Sequence, residues 1–239
     1  AGIMEHIESA GIHSGDSATL TPPVSLDAEL VSRVVDYTTR LAAEIGVKGL
    51  LNVQYVVKDG EVLVIEANPR ASRTVPYLSK AIGHPLAKYA ALIAAGRSLA
   101  QIGFTEMPVP PVYSVKEVVL PFLKFAGVEP ALGPEMRSTG ESMGIAGDPY
   151  VAYFKAQMGA GVQLPLQGRV RLLGPGSASL ADCFRDLGFE VLEGAVPGEE
   201  IDYDLLVDTG AGAEARRALE RGVPYLTTLE AARWSARAI

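Results

Sequence analysis

The chain has 239 residues, 48% hydrophobic and 21% charged, a globular balance that excludes disorder as its main state. A net charge of −7 and a pI near 5.1 argue against a nucleic-acid binder and leave room only for local positive pockets. One cysteine, Cys183, forbids an internal disulfide and points to a cytoplasmic setting, and no apolar run reaches membrane-spanning length.

In chain order, Ile3 to Glu8 reads as a strand. A strand this close to Ala1 leads us to expect either chain missing upstream of it or a start set by processing. A polar Gly/Ser/Thr loop follows from Ala10 to Pro23, and Ser25 to Glu44 carries helical spacing, with Ser25 as cap, Asp27 and Glu29 in the first turn and Gly46 as stop. Gly49 to Val57 and Glu61 to Asn68 form two strands of a hairpin around Asp59-Gly60. Tyr77 to Gly83 and Pro85 to Gly96 are short helices, Pro108 to Pro111 a stiff connector, and Tyr113 to Phe122 a strand. Gly127 to Gly147 reads as loop, and Asp148 caps a helix that runs to Met158 with Pro149 at its first position. The composition then shifts. Strands at Arg169 to Leu173, Phe189 to Leu192, Asp204 to Asp208 and Pro224 to Thr227 alternate with helices at Ser177 to Leu187, Glu214 to Arg221 and Leu229 to Ala238, which implies a small doubly wound parallel α/β domain. The expected division is residues 1–166, with an antiparallel sheet, and residues 167–239.

The hairpin holds the chemistry. If its register centres near residue 60, Gln54 sits opposite Glu66, and Asn68 shares that face because strand side chains alternate. Carboxylate and amide oxygens are the donors that Mg²⁺ takes, often together with substrate phosphates. Arg70 and Arg73 follow directly, and a guanidinium holds a phosphate or carboxylate bidentately. The plainer alternative is a solvated Glu66 paired with one of these arginines. Val62 to Ile65 look too apolar for a fully solvated strand, yet the residue types alone leave both readings open. The loop Gly11-Ile12-His13-Ser14-Gly15-Asp16-Ser17 can bring backbone, hydroxyl and imidazole to a ligand, or be an ordinary capped turn.

The blocks HIESAGIHSGDSA, LLNVQYVVKDGEVLVIEANPRASRTVPYLSKA, YSVKEVVLPF and GPEMRSTGESMG together resemble the large subunit of carbamoyl phosphate synthetase, most of all its second ATP-grasp half. The resemblance implies an ATP-dependent ligase that phosphorylates carbamate to carbamoyl phosphate, for arginine and pyrimidine biosynthesis. It implies Gln54, Glu66 and Asn68 as ligands of Mg²⁺ or Mn²⁺, with Gln54 and Glu66 also facing the nucleotide. Gly11, Ile12, His13 and Ser14 match a nucleotide-contacting loop, and Arg70 and Arg73 match arginines near the phosphates and the carbamate. His13 lies near the reacting groups by the same match. Glu8, Asp16, Glu117 and Thr227 match positions that bind the activator ornithine; an ion pair of Glu117 with Arg137 or near Lys116 is the alternative. K⁺ is a further implied cation, and the rest of the large subunit and a glutaminase small subunit are implied partners in an oligomer.

Two departures qualify the resemblance. The glycine-rich flap of an ATP-grasp unit is not in this sequence, so the chain alone is expected not to make carbamoyl phosphate. The last domain resembles a methylglyoxal-synthase-like regulatory domain but is short. Leu192-Glu193-Gly194-Ala195 stands where a Thr-rich phosphate turn is expected, while Asp208-Thr209-Gly210-Ala211-Gly212 keeps some likeness. A regulatory or assembly module without catalysis, or another ATP-grasp carboxylate–amine ligase, are the competing readings.

Overall fold

The computed structural model describes residues 1–194, 201–210 and 212–239. Ala195 and Ala211 of the two turns named above therefore lie outside the described residues. The fold is mixed α/β, with antiparallel and parallel sheets, and divides into two compact units. The first is Ala1–Glu5 with Thr21–Pro111; the second is His6–Leu20 with Val112–Ile239. The seam expected near residue 167 lies inside the second unit.

The strands β1 (Glu5–His6) and β2 (Thr19–Thr21) flank the loop that carries His13. In the first unit, helix α1 (Ala28–Ile45) starts at Asp27, whose side chain accepts from Leu30 N, rather than at Ser25. Asp27 sits one residue before the apolar periodicity begins and so captures the orphan first-turn amide. The hairpin of β3 (Asn52–Lys58) and β4 (Glu61–Asn68) turns at Asp59 and Gly60, both at positive φ, as a primed turn requires. Tyr55 reaches across to α1, its hydroxyl 2.8 Å from Thr38 Oγ1. Helices α2 (Thr74–Ile82), α3 (Leu86–Ala94) and α4 (Leu99–Ile102) complete the unit. The last was not expected from the sequence; it is one turn held by the Ser98–Gln101 capping box.

In the second unit, β5 (Tyr113–Val119) ends before Pro121 rather than at Phe122. Its neighbour β6 (Gly140–Ala146) lies in what reads as loop, and the two complete a sheet ordered β1-β2-β5-β6. Gly144 explains the misreading: a Cβ there would meet Ala152 O at 1.9 Å. The glycine is needed because helix α5 (Pro149–Gly159) lies directly on the strand. A parallel sheet follows, built from β7 (Arg169–Leu173), α6 (Ala181–Asp186), β8 (Glu190–Glu193), β9 (Leu205–Asp208), α7 (Ala213–Arg221), β10 (Tyr225–Leu226) and α8 (Leu229–Ala238). Its order is β10-β9-β7-β8, all parallel. One apolar core runs from Ile7, Leu20 and Val115 through Tyr153 to Val170, Phe184 and Leu205. Among the described residues no helix is long and apolar enough to cross a membrane.

Candidate functional site

Gln54 pairs with Glu66, Val53 with Ala67 and Asn52 with Asn68, but the register nearer the turn differs by one, with Tyr55 opposite Val64. Ile65 is the extra residue, a β-bulge. Without it Gln54 would face Ile65. The expected pairing is therefore present for a different reason: the turn centres between Asp59 and Gly60, and the bulge shifts the far half by one. Bulges re-aim side chains, and this one points three polar groups to one place. Gln54 Nε2 and Asn68 Nδ2 donate to the same atom, Glu66 Oε1, at 2.7 and 2.8 Å. Each amide that donates through nitrogen keeps its carbonyl oxygen as a further acceptor.

The expectation that Val62 to Ile65 are enclosed does not hold. Val62 is buried, while Leu63, Val64 and Ile65 are 47, 47 and 56% exposed. In the first unit α1 packs against this two-stranded sheet, meeting β4 and the Tyr55 hydroxyl. Glu66 is likewise exposed. Beyond the strand, Arg70 donates from its backbone to Asn68 O and from Nη1 to Ala71 O, and Arg73 occupies the N-cap of α2; both are exposed. The structure thus groups Gln54, Glu66 and Asn68 directly and sets Arg70 and Arg73 within the next turn of chain.

The donor set fits a hard divalent cation: one carboxylate and two amide oxygens, with no competing soft ligand. Among the described residues no group of three or more His, Cys, Asp or Glu side chains is arranged to hold a metal, so a cation here would be held by Glu66 and the two amides, with water or substrate oxygens completing its shell.

The second unit carries the loop. His13 N donates to Gly133 O at 2.8 Å, and Gly15 N donates to His13 Nδ1 at 3.0 Å. Because Nδ1 accepts, the neutral ring carries its proton on Nε2. A Cβ at Gly15 would sit 2.9 Å from Met136 Sδ, so the loop is pressed against the 133–138 segment. Asp16, 1% exposed, is the clasp: its two oxygens accept from Arg137 N and Ser138 N at 2.6 and 2.9 Å. That bond joins the HSGDSA and MRSTGE blocks in space.

Beside the loop lies a buried charged cluster. Glu8 accepts from Ser17 Oγ and Ala18 N at 2.6 and 2.7 Å, and burial raises its pKa. Glu117 accepts from Gln157 Nε2 at 2.6 Å and from Val118 N, rather than pairing with Arg137. Burial first and Glu8 second push its pKa up to about 8. Strand alternation sends its neighbour Lys116 to the opposite face of β5, the face of Glu141. Lys116 is fully buried, and burial lowers its pKa against the pull of Glu141, Glu117, Glu8 and Asp16. Among the described residues Lys116 Nζ and Glu141 Oε1 have no hydrogen-bond partner. Thr227 directly follows β10, while Glu8, Asp16 and Glu117 hydrogen-bond to Ser17, Ala18, Arg137, Ser138, Gln157 and Val118.

Sequence reasoning missed Lys116, Gln157 and Tyr153. The signal for the last two was present: Tyr153 and Gln157 are four apart on α5, among the alanines that pack on the sheet. Lys116 gave none, since a lysine in a strand ordinarily snorkels to water.

Residues 2–102 match the family described as "Carbamoyl-phosphate synthase L chain, ATP binding domain". The carbamoyl phosphate synthase large chain of Thermus thermophilus is 60% identical over 240 aligned residues, which cover 100% of this chain and 23% of that protein. That of Deinococcus radiodurans is 57% identical, again over 100% and 23%, and that of Archaeoglobus fulgidus 49% identical over 94% and 21%. The chain thus spans under a quarter of each of these three relatives. Among solved structures, the biotin carboxylase domain of a single-chain bacterial carboxylase superimposes with a TM-score of 0.45 at 18% identity, over 56% of this chain and 37% of that one, too slight a likeness to argue from. Over its whole length, then, the chain is similar to carbamoyl phosphate synthase large chains, and residues 2–102 carry the ATP-binding-domain match.

Proposed function

We propose that this chain is part of a glutamine-dependent carbamoyl phosphate synthetase and serves the phosphorylation of carbamate by ATP. The observation that carries the reading is the convergence of Gln54 and Asn68 on Glu66 Oε1 at a bulge, followed at once by two exposed arginines. Two anions, carbamate and the terminal phosphate, must meet, so the demand is charge neutralisation rather than a covalent intermediate. Glu66, Gln54 and Asn68 would hold Mg²⁺ or Mn²⁺, which supplies charge neutralisation and orientation at phosphate oxygens. Arg70 and Arg73 bind anionic oxygens in the planar two-donor mode open to a guanidinium. The loop Gly11 to Ser14 is a nucleotide contact, with His13 presenting a donor at Nε2. Glu8, Asp16 and Glu117, with Thr227, are an effector cluster for a cationic amino acid, and K⁺ is a second candidate cation.

On this reading residues 167–239 form a shortened regulatory domain. The rest of the large subunit and a glutaminase subunit complete a cytoplasmic enzyme of arginine and pyrimidine biosynthesis. The chain by itself is inactive. The test is carbamate-dependent ATP turnover in a protein that supplies the whole synthetase half. Glu66→Gln, Arg70→Ala and Arg73→Ala each lower kcat there by about a hundredfold or more. Unchanged turnover in Glu66→Gln sinks the proposal, as does turnover by the present chain alone.

A further inference from the structure

Between β5 and β6 the chain runs as a strap, residues 120–139, whose regular structure is one 3-10 turn, Phe122–Lys124. No strand ladder or longer helix fixes the rest, so its course depends on the groups that bind its two ends. The far end backs the His13 loop. Gly133 O accepts from His13 N, Arg137 N and Ser138 N donate to Asp16, and Ser138 Oγ donates to Gly15 O at 3.0 Å. Met136 stands against Gly15. Residues 133–138 are therefore the wall on which the loop rests.

The near end is held from the parallel sheet. Phe125 N donates to Phe122 O and Val128 N to Phe125 O, and this three-residue spacing turns the carbonyls of Phe122, Phe125 and Val128 to one side. Three oxygens facing one place need a donor. Arg216 of α7 supplies it, with Nη1 at 2.9, 2.9 and 3.3 Å from them. One turn further along α7, Glu220 accepts from Arg216 Nε at 2.7 Å, which fixes the plane of the guanidinium. Between the two ends Pro130 is buried and Pro134 has its φ locked, so a shift at one end is passed along rather than taken up.

We infer that Arg216 is a positioning residue for the His13 loop: it sets the strap, and the strap sets His13. The C-terminal domain thereby has a hold on a loop distant from it in sequence. As a statement about the reaction this rests on reading Gly11 to Ser14 as a nucleotide contact; as a statement about position it stands on the strap.

The test reads His13 directly. In the 239-residue chain the imidazole nitrogen resonances are recorded by NMR, with His13→Gln to assign its signals and His84, in the other unit, as the reference. Arg216→Met keeps the aliphatic stem and removes the donors. It shifts the His13 signals and leaves those of His84 in place. Arg216→Lys, a point charge without the planar fork, gives a smaller shift in the same direction and is the variant read if Arg216→Met does not fold. Arg221→Met, exposed at the end of the same helix, shifts neither. In the complete synthetase, Arg216→Met raises the KM for ATP roughly fivefold or more with kcat little changed, because a displaced contact weakens binding rather than chemistry. His13 signals unmoved in a folded Arg216 variant overturn the inference, as do His13 signals that move together with those of His84 or equally in Arg221→Met. Moved His13 signals with an unaltered KM for ATP uphold the positioning role and sink the nucleotide reading of the loop instead.

Discussion

The chain holds two carboxylate clusters built on opposite plans. Glu66 is exposed at the end of a two-stranded hairpin, and side-chain amides from the same sheet face hold one of its oxygens. Glu8 and Glu117 are buried in the second unit, held by Ser17, Gln157 and backbone amides, with Lys116 close by. The difference lies in what controls charge. Glu66 faces water, and its neighbours only aim it. In the buried cluster desolvation dominates, so each charge depends on the others. Exposure suits a metal–phosphate site that loads and empties; burial suits a cluster whose protonation is tied to the packing of α5 and β5.

That contrast can be broken most sharply with pH. Glu117 has a folded pKa of about 8 against 4.5 for the free side chain, so the folded state binds its proton more tightly. Its contribution to stability is full below about 4.5 and is lost as pH rises through about 8, on the order of 5 kcal/mol in total. Urea titrations between pH 5 and 8.5 show this fall, and Glu117→Gln flattens it. Next in size is Gly144→Ala, whose new Cβ would drive α5 off β6 because the atoms it meets are backbone. It costs about 3 kcal/mol, read as a lowered denaturant midpoint. Arg216 Nη1 donates to the carbonyls of Phe122, Phe125 and Val128, and its side chain is 15% exposed. Arg216→Ala therefore costs about 2 kcal/mol and raises amide exchange in residues 122–128. At the small end, Asp59→Asn keeps the primed turn and changes stability by less than about 0.5 kcal/mol, measured by the same titration.

Much of this was legible in the sequence. The hairpin turn, the run of α5 from Asp148 and the alternation of the last domain carry local signals that tertiary packing did not override. Four features escaped for physical reasons. The strand β6 hid because Gly140 and Gly144 lower strand propensity, and only the helix lying on Gly144 explains the glycine. The bulge at Ile65 has no composition of its own, so the pairing of Gln54 with Glu66 followed from a miscentred register. The apolar stretch Val62 to Ile65 suggested enclosure that only Val62 has. The buried Lys116 was the least legible, since no local pattern distinguishes it from a surface lysine. The candidate site was readable as residue types and spacing; its convergence on a single oxygen was not.

The central claim is that Glu66, aimed by Gln54 and Asn68, is a divalent-cation ligand. The most direct measurement is Mn²⁺ binding to the 239-residue chain by electron paramagnetic resonance, comparing the natural sequence with Glu66→Gln. Mn²⁺ binds the natural chain, binds the variant at least about tenfold more weakly, and the two melting curves coincide. Equal Mn²⁺ binding by both, with both folded, would contradict it.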